Sequence, residues 1–193
     1  IGAYTNDGGG IDSGHVRVFE FVTSTCTWVQ LGDDIDGIAA GDESGYALSF
    51  STDGHRVAIG AYKNDESGID AGHVRVFFYD SNSTSWVQLG SSIEGENAND
   101  WTGAAVSLCQ DGSRIAVGGS RYDGAGTQRG RVRIFEFDSS NWVQLGSSID
   151  GINDYDYVGS AVSMDADGVR VAVGAWSFNG IGIDSGHVRV FYY

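Results

Sequence analysis

The sequence contains no proline, and a single lysine, Lys63, stands against ten arginines. No apolar run approaches the roughly 20 residues that a membrane-spanning helix needs, and no segment reads as a signal peptide. The chain begins inside a strand-like segment at Ile1, so the second absence leaves the compartment open. Cysteine is equally scarce. Cys26 falls in an expected hairpin turn and Cys109 near an expected strand end, at repeat positions that do not match, so no bridge is expected between them. Apolar residues never recur at helical spacing over three turns, which excludes a helical fold.

What is abundant points one way. The 193 residues include 30 glycines, 41% are hydrophobic and 12% are aromatic. Disorder requires low hydrophobicity and few aromatics, and collagen would place glycine at every third position; neither fits. Tight turns between aromatic-rich strands do fit. The formal net charge of −15 repels nucleic-acid phosphates and anionic lipid, so neither is an expected partner.

The chain repeats itself. His15-Val16-Arg17-Val18-Phe19 returns from His73, from Arg131 (as Arg-Val-Arg-Ile-Phe) and from His187, at spacings of 58, 58 and 56 residues. Trp28-Val29-Gln30-Leu31-Gly32 recurs from Trp86 and Trp142, and Asp53-Gly54 recurs as Asp111-Gly112 and Asp167-Gly168. Each period reads as four short strands. In one copy these are 104–109, 114–118, 131–137 and 142–146, with the Asp111-Gly112 hairpin between the first two. A polar stretch, 147–157, crosses to the next copy. The expected fold is therefore all-β, with four antiparallel strands per 56–58-residue repeat and propeller-type blades as the leading architecture. A β-solenoid is the rival, but solenoid coils usually have shorter repeats and fewer hairpins. About 3.3 repeats are present: a partial blade at 1–32, blades at 45–90 and 103–146, and a partial blade at 159–193. Closed propellers take roughly four to eight blades, so the chain is expected to be part of a larger propeller or to be completed by neighbours.

The segment 45–62, with Gly45, the Asp53-Gly54 turn and Gly60-Ala61-Tyr62, resembles an FG-GAP repeat, the unit of integrin α-subunit propellers and of many algal, protist and bacterial surface proteins. The segments 103–120 and 159–176 match likewise. Two departures stand out. The family's proline in Gly-Ala-Pro is replaced by Tyr62, Ser120 and Trp176, and its acidic calcium loop is cut to Thr52-Asp53-Gly54 and its equivalents. The resemblance implies an extracellular or cell-surface protein that offers propeller surfaces to protein or glycan partners.

Candidate sites are sparse. His15, His73 and His187 share one repeat position with Arg131, and a residue recurring in every copy reads as architectural, because a catalytic histidine occurs once beside a distinct partner. Arg17, Arg75, Arg133 and Arg189 are expected to pair with acidic neighbours. The loops before the third strands carry Asn6, Asp7 and Asp12, Asn64, Asp65 and Asp70, and Asn179 and Asp184, with Asp123 and Gln128 as the weakest copy. Calcium, coordinated by Asp7, Asp12, Asp65, Asp70 and Asp184, is the candidate cofactor of these loops; Asx turns account for the same residues without a metal. Asn82-Ser83-Thr84 is a glycosylation sequon at an expected turn tip. A non-enzymatic adhesive or structural repeat protein is the first functional expectation. The alternatives are a filament or coat subunit assembled by blade complementation, with self-association, and a propeller glycan hydrolase built on Asp154, Tyr155, Asp156 and Tyr157.

Overall fold

A computed structural model describes residues 1–180 and 182–192. Those residues form eighteen strands and no helix, so none is long and apolar enough to cross a membrane. The first repeat holds β1 (Gly2–Ala3), β2 (His15–Val16), β3 (Phe19–Val22), β4 (Thr27–Gln30) and β5 (Ile35–Asp36). The second holds β6 (Ala47–Phe50), β7 (Arg56–Ala61), β8 (His73–Asp80), β9 (Ser85–Gln88) and β10 (Ile93–Glu94). The third holds β11 (Thr102–Leu108), β12 (Arg114–Gly119), β13 (Arg131–Phe137), β14 (Trp142–Gln144) and β15 (Ile149–Asp150), and the fourth β16 (Val158–Met164), β17 (Arg170–Ala175) and β18 (His187–Tyr192). Every strand pairing is antiparallel.

The four expected strands of the second repeat form one sheet in the expected order, β6-β7-β8-β9. A fifth strand was not legible. In three repeats the stretch following the Trp-Val-Gln-Leu strand, including part of 147–157, folds back as a two-residue strand on the inner half of the third strand, Glu94 opposite His73 and Asp150 opposite Arg131. The third strand of each of these three repeats thus carries two partners end to end: β8 takes β9 on one half and β10 on the other. In the first repeat this strand is interrupted at Arg17-Val18, dividing it into β2 and β3.

Successive sheets pack face to face, β11 against β6 and β7, and β16 against β11 and β12. The period-2 alternation of a strand buried on both faces does this. On β7, Val57 and Ile59 join a core with Val16 and Phe77 on the side of the first sheet, while Ala58 faces a second core with Val106, Ile115 and Val117. On β12, Ala116 turns to a third core with Val171 and Val173. Close approach at the crossing point depends on glycine. A Cβ on Gly60 would lie 2.0 Å from the Gly103 carbonyl oxygen, and one on Gly118 would lie 2.1 Å from that of Gly159. Cys26 is exposed, Cys109 is buried, and both are free thiols.

Candidate functional site

The histidine position lies at the inner end of each third strand, where the chain enters from a turn closed by a positive-φ residue and a glycine: Asp12 and Gly14, Asp70 and Gly72, Gln128 and Gly130, Asp184 and Gly186. Register then sets a cross-strand pair on the short fifth strand: His15 opposite Asp36, His73 opposite Glu94, Arg131 opposite Asp150. In the third repeat the pair is a fork, Arg131 Nε to Asp150 Oδ1 at 2.7 Å and Nη2 to Oδ2 at 3.1 Å, with Glu96 on the remaining nitrogen. His15 Nδ1 lies 3.6 Å from Asp34 Oδ2. His73 is fully buried, its Nδ1 sits 3.9 Å from Glu94 Oε1, and neither ring nitrogen has a hydrogen-bond partner. Burial, helped by the nearby Arg75 charge, pushes the His73 imidazole down to about 4, so it is neutral at pH 7. Burial pushes the Glu94 carboxyl up, and Glu66 adds to this.

The next residue but one is an arginine that reaches back to the preceding sheet. Arg75 Nη2 donates to the Asp36 carbonyl at 2.7 Å, and Arg133 Nη2 to the Glu94 carbonyl at 2.6 Å. The expected pairing with acidic neighbours holds for Arg17, which forks onto Asp34, and for Arg133, whose Nη1 also reaches Glu96 Oε1 at 3.4 Å; Arg75 donates instead to the main-chain oxygen and to Ser44 Oγ. The tryptophans follow the same logic. Trp86 Nε1 donates to Leu31 O and Trp142 Nε1 to Leu89 O, both at 2.8 Å, each reaching the leucine of the sheet before. Trp142 is buried and Trp86 half-buried, whereas Trp28 is 69% exposed. Trp28, on β4, packs against Phe21 of its own hairpin, the ring centroids 5.3 Å apart.

The loops read as calcium candidates are organised by their own backbone. Asp7, Asp65, Asp123 and Asn179 each accept, through Oδ1, the amide five residues on: Asp12 (2.9 Å), Asp70 (2.8 Å), Gln128 (2.8 Å) and Asp184 (2.7 Å). Asn and Gln-bearing copies keep the same bond as the all-Asp copies, so the side chains are serving the turn. Among the described residues none of Asp7, Asp12, Asp65, Asp70 and Asp184 belongs to a trio of acidic, histidine or cysteine side chains close enough to share a cation. Two trios do: His15 with Asp34 and Asp36, and His73 with Glu66 and Glu94. Asn82 is exposed at the tip between β8 and β9, with its amide nitrogen 3.2 Å from Asp80 Oδ1.

The carboxylate pair considered for glycan hydrolysis is divided in role. Asp154 is bound by Arg129 at 2.8 Å, and buried Asp156 accepts the Asn153 amide at 3.0 Å. Asp42 and Asp100 do the same for Ala39 and Asn97, so Asp156 is a repeated loop brace rather than a singular acid. The spacing 42, 100, 156 carried that signal in the sequence.

No family model and no curated protein matches the chain. Among solved structures the chain is similar to the hydrazine synthase of Kuenenia stuttgartiensis, with a TM-score of 0.50 and 15% identity over 91% of this chain. It spans 40% of that longer chain. At this identity the likeness concerns the all-β fold alone.

Proposed function

We propose that the four repeats are blades of an FG-GAP-like β-propeller and that the protein is a non-enzymatic, extracellular structural or adhesive module offering blade surfaces to protein or glycan partners. The observation that carries this reading is where the polar side chains go. Arg75, Arg133, Trp86 and Trp142 bond one sheet to the next, and Asp42, Asp100 and Asp156 brace loops, each at a repeated position. A stack of this kind supports recognition over broad faces, as repeat arrays do. Turnover of chromogenic glycosides by the purified chain, abolished by Asp154→Asn, would overturn the non-enzymatic reading.

A second reading, assembly by blade complementation, draws on one further observation. Val74 and Val76 are buried beneath the third sheet, whereas their counterparts Val188 and Val190 on β18 are 70% and 68% exposed, beside Tyr192 at 80%. An apolar sheet face of this kind is an association surface. Negative-stain electron microscopy with light scattering separates the two readings: discrete particles favour the adhesive module and continuous fibres favour the filament. A non-associating 20.4 kDa monomer would exclude the filament.

A further inference from the structure

We propose that His73, Glu94 and Glu66 form a binding site for one first-row divalent cation, Zn2+ in the first instance, which ties β8 and β10 to the loop before β8.

The imidazole is the first ground. His73 is fully buried yet both its nitrogens lack a partner, an arrangement that is costly for each polar group left unsatisfied. Its Nδ1 faces Glu94, whose Oε2 is also buried without a partner. One ligand atom from each of His73, Glu94 and Glu66 lies within 4.8 Å of the others, a separation that a cation with bonds of roughly 2.0–2.2 Å closes by small side-chain movements. A neutral imidazole is the protonation state that ligates.

Comparison between repeats is the second ground. In the third repeat the same strand position is Arg131, whose guanidinium sits against Asp150 and Glu96. That repeat supplies a covalently attached cation where the second repeat has an uncharged ring facing two carboxylates. The charges around the His73 trio leave room for a cation: Asp42 adds a carboxylate, while Arg75 and Arg133 approach from the flank and are tied to main-chain carbonyls. One imidazole with two carboxylates suits Zn2+ and its first-row neighbours, with water in the remaining position, and is a poor set for Ca2+, which takes six to eight oxygens.

The test follows the His73 ring nitrogens by NMR while the metal-stripped full chain is titrated with Zn2+, the resonances being assigned by their loss in His73→Gln. The expected result is a saturable shift of the His73 nitrogens, weakened at least about tenfold in Glu66→Gln, and no shift with Ca2+ at the same concentrations. Glu66 is exposed, so its substitution leaves the fold in place. His73 nitrogens that do not respond to Zn2+, that respond equally in Glu66→Gln, or that respond equally to Ca2+ would overturn the site.

Discussion

Replacing Gly60 by alanine isolates the contact on which sheet stacking rests. Gly60 has an ordinary extended backbone, so alanine there carries no conformational penalty, and on unfolded-state entropy alone the change would stabilise by about 0.4–1 kcal/mol. The added Cβ, however, meets the Gly103 carbonyl oxygen at 2.0 Å, the Gly103 carbonyl carbon at 3.0 Å and its Cα at 3.3 Å. All three atoms are backbone, and Gly103 is itself pinned at φ +91 by its place on β11. Relief requires moving one sheet away from another by about 1 Å, an overpacking strain of typically 1–3 kcal/mol and occasionally more. With the strain at the upper end of that range, because all three atoms are backbone, the expected net loss is about 2–2.6 kcal/mol, or roughly 4–10 °C in melting temperature for a chain of this length. Gly174 supplies the control. It is the equivalent residue on β17, and a Cβ there meets nothing nearer than the Ala161 methyl at 3.3 Å. Gly174→Ala should fall within about 0.5 kcal/mol of the parent. Calorimetry and urea unfolding of both variants give the answer. Equal stabilities for Gly60→Ala and Gly174→Ala would refute glycine-limited stacking.

Three other outcomes are expected. Trp142→Ala should cost about 3–5 kcal/mol through lost burial and the bond to Leu89, while Trp28→Ala should cost under about 1 kcal/mol; urea midpoints compare them. Asp111 is held at about 2 by the Ser113 hydroxyl and amide and by the Cys109 thiol, so its contribution is present above the ordinary 3.8 and lost as pH falls toward 2. The stability gap between parent and Asp111→Asn should therefore narrow through that window and close below it. Secretion through a glycosylating host should add glycan at Asn82, seen as a mass shift removed by Asn82→Gln, since the side chain stands exposed at a turn tip.

The sheets were legible because period and alternation are local properties. The Asp111-Gly112 turn and the Arg-Val-Arg-Ile-Phe run located β12 and β13 within a residue. The fifth strands β5, β10 and β15 escaped because two residues, such as Ile93-Glu94, carry no period and sit in a stretch otherwise rich in serine and glycine. The arginine and tryptophan bonds escaped for a different reason. Their acceptors are main-chain carbonyls of Asp36, Glu94, Leu31 and Leu89, and a carbonyl has no signature in a sequence. The aspartates of the loops were visible, but the sequence alone left both a backbone amide and a cation as claimants for each carboxylate.

Some repeat positions change residue type while the geometry stays fixed, and the reason lies in what the fold demands there. At the mouth of each first hairpin, the amide of Arg56, Arg114 or Arg170 needs an acceptor five residues back. Ser51 Oγ provides it at 2.9 Å, Cys109 Sγ at 3.2 Å and Asp165 Oδ1 at 3.0 Å. Any side chain with a lone pair at that distance keeps the hairpin closed, so the position is free in chemistry although it is bound in geometry. The histidine position obeys a looser rule: the strand pair survives with imidazole or guanidinium opposite Asp36, Glu94 or Asp150. A requirement met by several residue types allows one sheet to acquire a reactive or ligating group without disturbing its neighbours. The second sheet, with its neutral buried ring against two carboxylates, is where this chain has used that freedom furthest.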